Sequence, residues 1–236
     1  METSTGSVLL DFFENHDHRL IHKWNHYFEI YERHFAAFRG KPVSLLEFGV
    51  SHGGSLQMWK YYLGPQAQIY GVDIEPRCAT LMEENVTILI GDQENREWLR
   101  SLKRSLPTFD IIIDDGGHTM AQQITTFEEM YPQLNLGGVY LAEDLLTSYM
   151  PGYGGAYRHP GSFIEYTKNF IDQLHAWHSG DPSLFVDDFT LSAFALHYYD
   201  SVLVIEKRPM SQPDHRMKGM PSFPLNAAEQ AVYSKG

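Results

Sequence analysis

VSLLEFGVSHGGSLQMWKYYL, residues 43–63, is the stretch on which the fold turns. Residues 43–48 read as a buried strand and residues 55–63 as a helix. Between them Gly49, Gly53 and Gly54 allow a ligand to approach the backbone closely at a helix N-terminus, and Ser55 can cap that helix. The spacing is G-x-x-x-G-G, not the G-x-G-x-x-G that seats a pyrophosphate, so a small nucleoside ligand fits better than a dinucleotide.

Downstream, short apolar runs alternate with helical stretches. Strands are expected at residues 69–72, 86–90, 109–113 and 138–142, with helices at 119–134 and 162–177. Parallel neighbours need a crossover, usually a helix, so this alternation implies an α/β doubly wound sheet with ligands at the carboxyl ends of its strands. Residues 189–198 and 202–207 are separated only by a tight turn at Asp200-Ser201 and should form an antiparallel hairpin. Upstream, apolar and aromatic residues between Leu9 and Phe38 recur at three- and four-residue spacings, the mark of amphipathic helices. The expected organisation is a helical cap over 1–40, a ligand-binding domain over 41–210 and an irregular, proline-rich tail over 211–236.

Composition narrows the function. With 236 residues, 43% hydrophobic and 14% aromatic, the chain can bury a substantial core, which excludes disordered and fibrous classes. A net charge of -12 with no basic stripe argues against nucleic acid as a substrate. The single cysteine, Cys78, cannot form an internal disulfide, which fits a reducing cytoplasm. No signal-like leader and no run of about 18 apolar residues is seen, so a soluble cytoplasmic protein with no membrane partner is expected. His22-Lys23-Trp24-Asn25-His26 has the spacing of zinc proteases, but Lys23 replaces the Glu they require. Solvated helix histidines are the default there, although Lys23 and Tyr27 could close over the carboxylate end of a bound ligand.

Acids stand at the strand ends in order. Glu47 is an ionised group in an apolar strand and needs a partner, such as a cationic amino group. Asp73 could accept hydrogen bonds from a ribose diol, or merely close a strand-to-helix turn, and Asp92 with Gln93 offers an acceptor and a donor to an adenine edge. Taken together, these features resemble the class I S-adenosylmethionine-dependent methyltransferases, whose seven-stranded sheet also ends in an antiparallel strand. The resemblance implies that Gly49, Ser51, Gly53 and Ser55 contact the methionine portion, Asp73 the ribose, and Asp92 and Gln93 the adenine.

IIIDDGGH, residues 111–118, and LAED, residues 141–144, end the next two strands. Side chains alternate along a strand, which sends Asp114 towards the cofactor and Asp115 towards the substrate. Asp115, Glu143 and Asp144 would repel one another unless a cation lay among them, and an all-oxygen set suits Mg²⁺, with Mn²⁺ or Ca²⁺ as alternatives, rather than zinc. Their convergence requires a bend directly after Ala142. His118 is placed as the general base. Asp115 could equally cap the helix near Thr119, and Glu143 with Asp144 could be a solvated strand end.

The pattern I-I-D-D-G-G-H followed by G-G-V-Y-L-A-E-D-L resembles the macrocin and mycinamicin sugar O-methyltransferases over residues 45–149, and cephalosporin hydroxylase-like proteins share much of it. This resemblance implies that Asp115, Glu143 and Asp144 ligate the metal and that His118 deprotonates a sugar hydroxyl of a glycosylated natural product. The mycinamicin enzyme's long N-terminal domain has no counterpart here, so its acceptor contacts are not carried over. On the loop after the acids, Tyr149, Tyr153, Tyr157 and His159, with Arg158, form an expected acceptor lid, because aromatic rings pack on sugar faces. The alternatives are transfer to a phenol or catechol, or a cofactor-binding accessory protein without activity. A homo-oligomer is expected.

Overall fold

The computed structural model describes residues 6–233, and in it the apolar runs pair into one sheet. Five strands are parallel: β1 (Ser44–Phe48), β2 (Gln68–Asp73), β3 (Val86–Ile90), β4 (Phe109–Asp114) and β5 (Leu134–Ala142). An antiparallel hairpin of β6 (Ala193–Tyr199) and β7 (Val202–Lys207) completes the order β3-β2-β1-β4-β5-β7-β6. Ser201, at φ 60°, makes the tight hairpin turn.

Period-two alternation divides the sheet between two cores. Leu45, Ile111, Ile113, Leu141 and Val204 face α1 (Val8–Glu14), α2 (Tyr27–Phe35) and α3 (Gly54–Leu63). Leu46, Phe48, Ile112, Tyr140 and Leu203 face α4 (Arg96–Ser105), α5 (Met120–Met130) and α6 (Phe163–Leu174). A last short helix, α7 (Ala227–Tyr233), lies in the otherwise irregular tail. The register sets Phe48 between Val72 and Asp114, and Asp114 beside Ala142, so residues following β1, β2, β4 and β5 emerge along one edge. Among the described residues no helix is long and apolar enough to cross a membrane.

The structure differs from the sequence reading in several elements, and the strand expected from residue 189 begins at Ala193. Helix α4 occupies a stretch that reads as helical around Trp98 but without bounds. Its core side holds only Leu99 and Leu102 among many charges, a stripe too thin to stand out, although Asn95 caps it through Trp98 N at 3.1 Å. The helix expected over 119–134 ends at Met130, where Pro132 cannot continue it, and β5 begins at Leu134. The N-terminal region is not continuously helical, since residues 15–26 run irregularly between α1 and α2. That segment lies so close to α3 that a Cβ on Gly54 would fall 2.4 Å from the carbonyl oxygens of Arg19 and Leu20.

Candidate active site

Gly49, at φ 94°, turns the chain out of β1 beneath the backbone of Asp115, whose carbonyl oxygen a Cβ there would meet at 1.9 Å. Gly53 adopts the left-handed conformation at the N-cap of α3. Asp73 shapes this turn from β2: its Oδ2 accepts from Val50 N at 2.8 Å and Ser51 N at 2.9 Å. The result is a cleft of ≈ 600 Å³ lined by Gly49, Asp73, Ile74, Asp92, Gly117 and Gln122 among others. Ile74 escaped the sequence reading. It is a large apolar side chain left 67% exposed at the cleft, a surface suited to a flat ring.

A second cleft joins the first through Gly49, Ser51, Asp115 and Gly116, and continues to Lys23, Ser55, His118 and Asp144. At its floor the acids gather around an amine. Lys23 Nζ donates to Asp115 Oδ2 at 2.5 Å and to both oxygens of Glu143 at 2.9 and 3.0 Å, with Glu47 at 3.7 Å. Burial works against the ammonium, but Asp115, Glu143 and Glu47 together hold its pKa well above the ordinary lysine value. One ammonium does not balance these acids and nearby Asp144. Burial first, then Asp115, pushes the Glu143 carboxyl well above the usual carboxylate range against the pull of Lys23 and Tyr31. Tyr31 OH donates to Glu143 at 2.7 Å, and Gln123 Nε2 holds the Glu143 carbonyl at 2.9 Å.

The bend after β5 is sharp: Asp144 sits at φ 54°, ψ 39°. Its Oδ1 accepts from Tyr27 OH at 2.8 Å and Trp24 Nε1 at 3.1 Å, while Oδ2 lies 3.4 Å from His118 Nε2. His118 is also left-handed, at φ 56°, and its Nε2 is 3.9 Å from Asp115 Oδ1. Non-glycine residues in this region cluster at working sites, Asp and His being among the tolerated types. Donor atoms of Asp115, His118 and Asp144 all lie within 4.8 Å of one another. His118 Nδ1 is buried without a hydrogen-bond partner. Thr147 Oγ1 donates to the His118 carbonyl at 2.9 Å and so ties the loop after β5 to this turn.

This donor set fits a divalent cation. Carboxylate oxygens dominate it, the surrounding acids outnumber the one ammonium, and the sites face an open cleft. Asp115 and Asp144 each turn one oxygen towards His118, whereas both oxygens of Glu143 meet Lys23.

Several expected site residues are engaged elsewhere. Glu47 is fully buried and accepts from Ser55 Oγ at 2.7 Å and Trp59 Nε1 at 3.0 Å, so the cation it needs is supplied by the protein's own Lys23. Ser55 accordingly does not cap α3. Asp114 points away from both clefts. It is fully buried, bonded to Gln93 Nε2 at 2.9 Å, and burial raises its carboxyl to about 6 against the opposing pull of His118. Gln93 lines the first cleft, gives its other amide proton to Thr126 and accepts from Gly117 N at 3.0 Å, which ties it to the 115–117 turn. Asp92 lines the first cleft while capping Glu94 N. The helix α5 is capped by Thr119, not Asp115. Tyr149, Tyr153 and Tyr157 are exposed on two short helical turns and a loop, and with His159 they line neither cleft. Lys23 and Tyr27 reach carboxylates of the protein itself.

Sheet order, antiparallel last strand and a nucleoside-sized cleft above the glycine turn are those of the class I methyltransferase fold. Residues 46–145 match the family model for a methyltransferase domain. The chain is similar to O-methyltransferases of the tetracenomycin, mycinamicin and macrocin types. It is 38% identical over 197 residues to the 8-demethyl-8-(2-methoxy-alpha-L-rhamnosyl)-tetracenomycin-C 3'-O-methyltransferase of Streptomyces olivaceus, a match covering 78% of this chain and 50% of the relative. Against the mycinamicin VI 2''-O-methyltransferase of Micromonospora griseorubida it is 36% identical, over 75% of this chain and 47% of the relative. The chain thus spans about half the length of the curated relatives it matches. Among solved structures it resembles the MycE methyltransferase of the mycinamycin biosynthetic pathway in complex with Mg and SAH, with 31% identity, a TM-score of 0.77, and coverage of 100% of this chain and 60% of that one.

Proposed function

We propose that this chain is an S-adenosylmethionine- and Mg²⁺-dependent O-methyltransferase acting on a sugar hydroxyl of a glycosylated natural product. The observation that carries the reading is the placing of His118 between Asp115 and Asp144 in the second cleft, beside the wall it shares with the first. The relatives' names add the substrate class, and the MycE complexes contain Mg and SAH, one of them with mycinamycin VI.

The first cleft takes the nucleoside: Ile74 covers the base, Asp73 receives the ribose diol through lone pairs left by its backbone bonds, and Asp92 lies at the adenine end. Gly49, Ser51 and Gly53 leave room for the methionine portion. When bound, the divalent ion lowers the acceptor hydroxyl's pKa and fixes its approach. Asp115, Glu143 and Asp144 would hold that ion, Glu143 in place of its contacts with Lys23. His118 removes the hydroxyl proton at Nε2, and its neighbours Asp115 and Asp144 stabilise the imidazolium that results. The remaining step, in-line attack on the sulfonium methyl, needs chiefly orientation.

Methyl transfer to a panel of rhamnosides and other deoxysugar glycosides, with and without chelator, tests the reading. Turnover is expected on a glycoside only with Mg²⁺, and His118→Ala should lower it ~10²–10⁴-fold while S-adenosylhomocysteine still binds. Turnover confined to phenols, with little effect of His118→Ala, would assign the site to aryl acceptors instead. No turnover with any acceptor, despite tight cofactor binding, would favour an accessory role.

A further inference from the structure

Far from the strand tips, three metal-ligating side chains from three elements meet on one sheet face. His34 lies in the last turn of α2, His197 on β6 and Glu206 on β7, and their donor atoms are within 4.8 Å of one another. We propose that His34, His197 and Glu206 form a second metal site, for a borderline transition ion of the Zn²⁺ class, which fastens α2 to the β6–β7 hairpin.

The spacing is close to that of a bound ion. Glu206 Oε1 is 3.0 Å from His197 Nε2 and 3.8 Å from His34 Nδ1. Tetrahedral zinc with bonds of ~2.0–2.1 Å separates its ligand atoms by about 3.3 Å, between these two values, and the third pair, His34 and His197, lies within 4.8 Å. The outer partners are in place as well. His34 Nε2 lies 2.9 Å from Tyr199 OH, and an Nε2–H donated there leaves the Nδ1 lone pair facing Glu206. Arg208 Nη2 donates to Glu206 Oε2 at 2.8 Å, which weakens the carboxylate's charge but aims its other oxygen at the two imidazoles. His34 is buried while His197 is a third exposed, so the fourth ligand position opens to solvent. Two imidazoles favour zinc, cobalt or nickel over Mg²⁺, the ion suited to the oxygen-rich strand tips.

Such a fastening bears on the active site through α2, which also carries Tyr27 and Tyr31 to Asp144 and Glu143. The test is a Co²⁺ titration of the metal-free full chain in excess Mg²⁺, read by visible absorption. One equivalent should give the intense band of four-coordinate Co²⁺, and Zn²⁺ should abolish it. His197→Ala and Glu206→Gln should weaken Co²⁺ binding at least about tenfold, and Tyr199→Phe about tenfold through its hold on His34. Asp144→Asn should leave the band intact. Full binding in His197→Ala and Glu206→Gln, each shown folded by circular dichroism, overturns the proposal. So does a band lost in Asp144→Asn, which would put the ion at the strand tips, or one with only the weak absorption of six-coordinate Co²⁺.

Discussion

Lys23 is where the sequence is least explicit and the structure most so. Asp115, Glu143, Asp144 and His118 could be named as a constellation because each follows a strand, and strand ends can be located from apolar runs. Nothing of that kind marks Lys23. It lies in an irregular segment 92 residues before Asp115, and only the tertiary fold reveals that its amine is buried among acids. The same holds for Tyr31 and Trp24, which read as ordinary helix aromatics. Its position makes Lys23 both a support and a competitor. Removing one partner of a buried ionic cluster costs ~3–5 kcal/mol, because the remaining charges lose their compensation. In Lys23→Met the melting temperature should therefore fall in chelator, and added Mg²⁺ should raise it more than in the parent, since the ion no longer competes with an ammonium for Glu143. Thermal denaturation with and without Mg²⁺ reads both effects. An equal Mg²⁺ shift in parent and variant would show that Lys23 does not oppose the ion.

Among the elements, legibility followed burial. The buried parallel strands were read to within a few residues, because apolar runs of that length have few other uses. The surface helix α4 read only as a helical stretch around Trp98, without bounds, because charged residues dominate it. Glu129 of α5 gathers Arg100 Nη2 at 2.9 Å, Lys103 Nζ at 2.8 Å and Arg96 Nη1 at 3.3 Å, all from α4. Burial opposes its ionisation, but Lys103 and Arg100 bring the carboxyl down to about 2. With a folded pKa below the ordinary 4.5, the group favours the native state at neutral pH, and that contribution fades as pH drops from about 4.5 towards 2. The partners are partly solvated, so Glu129→Gln should cost about 1 kcal/mol at pH 7. Urea denaturation at pH 7 and pH 3 should show the parent–variant gap narrowing with acid. The irregular 15–26 segment rests on α3 by backbone contact, which the sequence could signal only as a glycine, Gly54, whose role was read as ligand approach. Gly54→Ala should lift that segment and carry Lys23 with it, and amide exchange should quicken at residues 19–24 while β1 and β4 stay protected.

At the scale of the molecule, the sheet was legible in full outline: five parallel strands, a closing hairpin and chemistry along one edge. What could not be read was how the edge is partitioned. The structure gives two clefts rather than one, and their shared wall is Gly49, Ser51, Asp115 and Gly116. The 115–118 turn is braced on one side by Gln93 through Gly117 N and on the other by Thr147 through the His118 carbonyl. On the proposed reading, a nucleoside cofactor and a divalent cation would press on the same short turn from opposite sides. Whichever binds first orders Asp115 and His118 for the other, and linkage requires the benefit to be mutual. Coupling of this kind is commonly ~1–3 kcal/mol, or about 5- to 150-fold in affinity. Calorimetry around the full cycle should show Mg²⁺ tightening S-adenosylhomocysteine at least about fivefold and the cofactor product tightening Mg²⁺ by the same factor. Asp115→Asn, which removes the charge from the shared wall, should shrink both factors together. Affinities that are the same with and without the second ligand would mean that the turn is rigid in all states and that the clefts act independently.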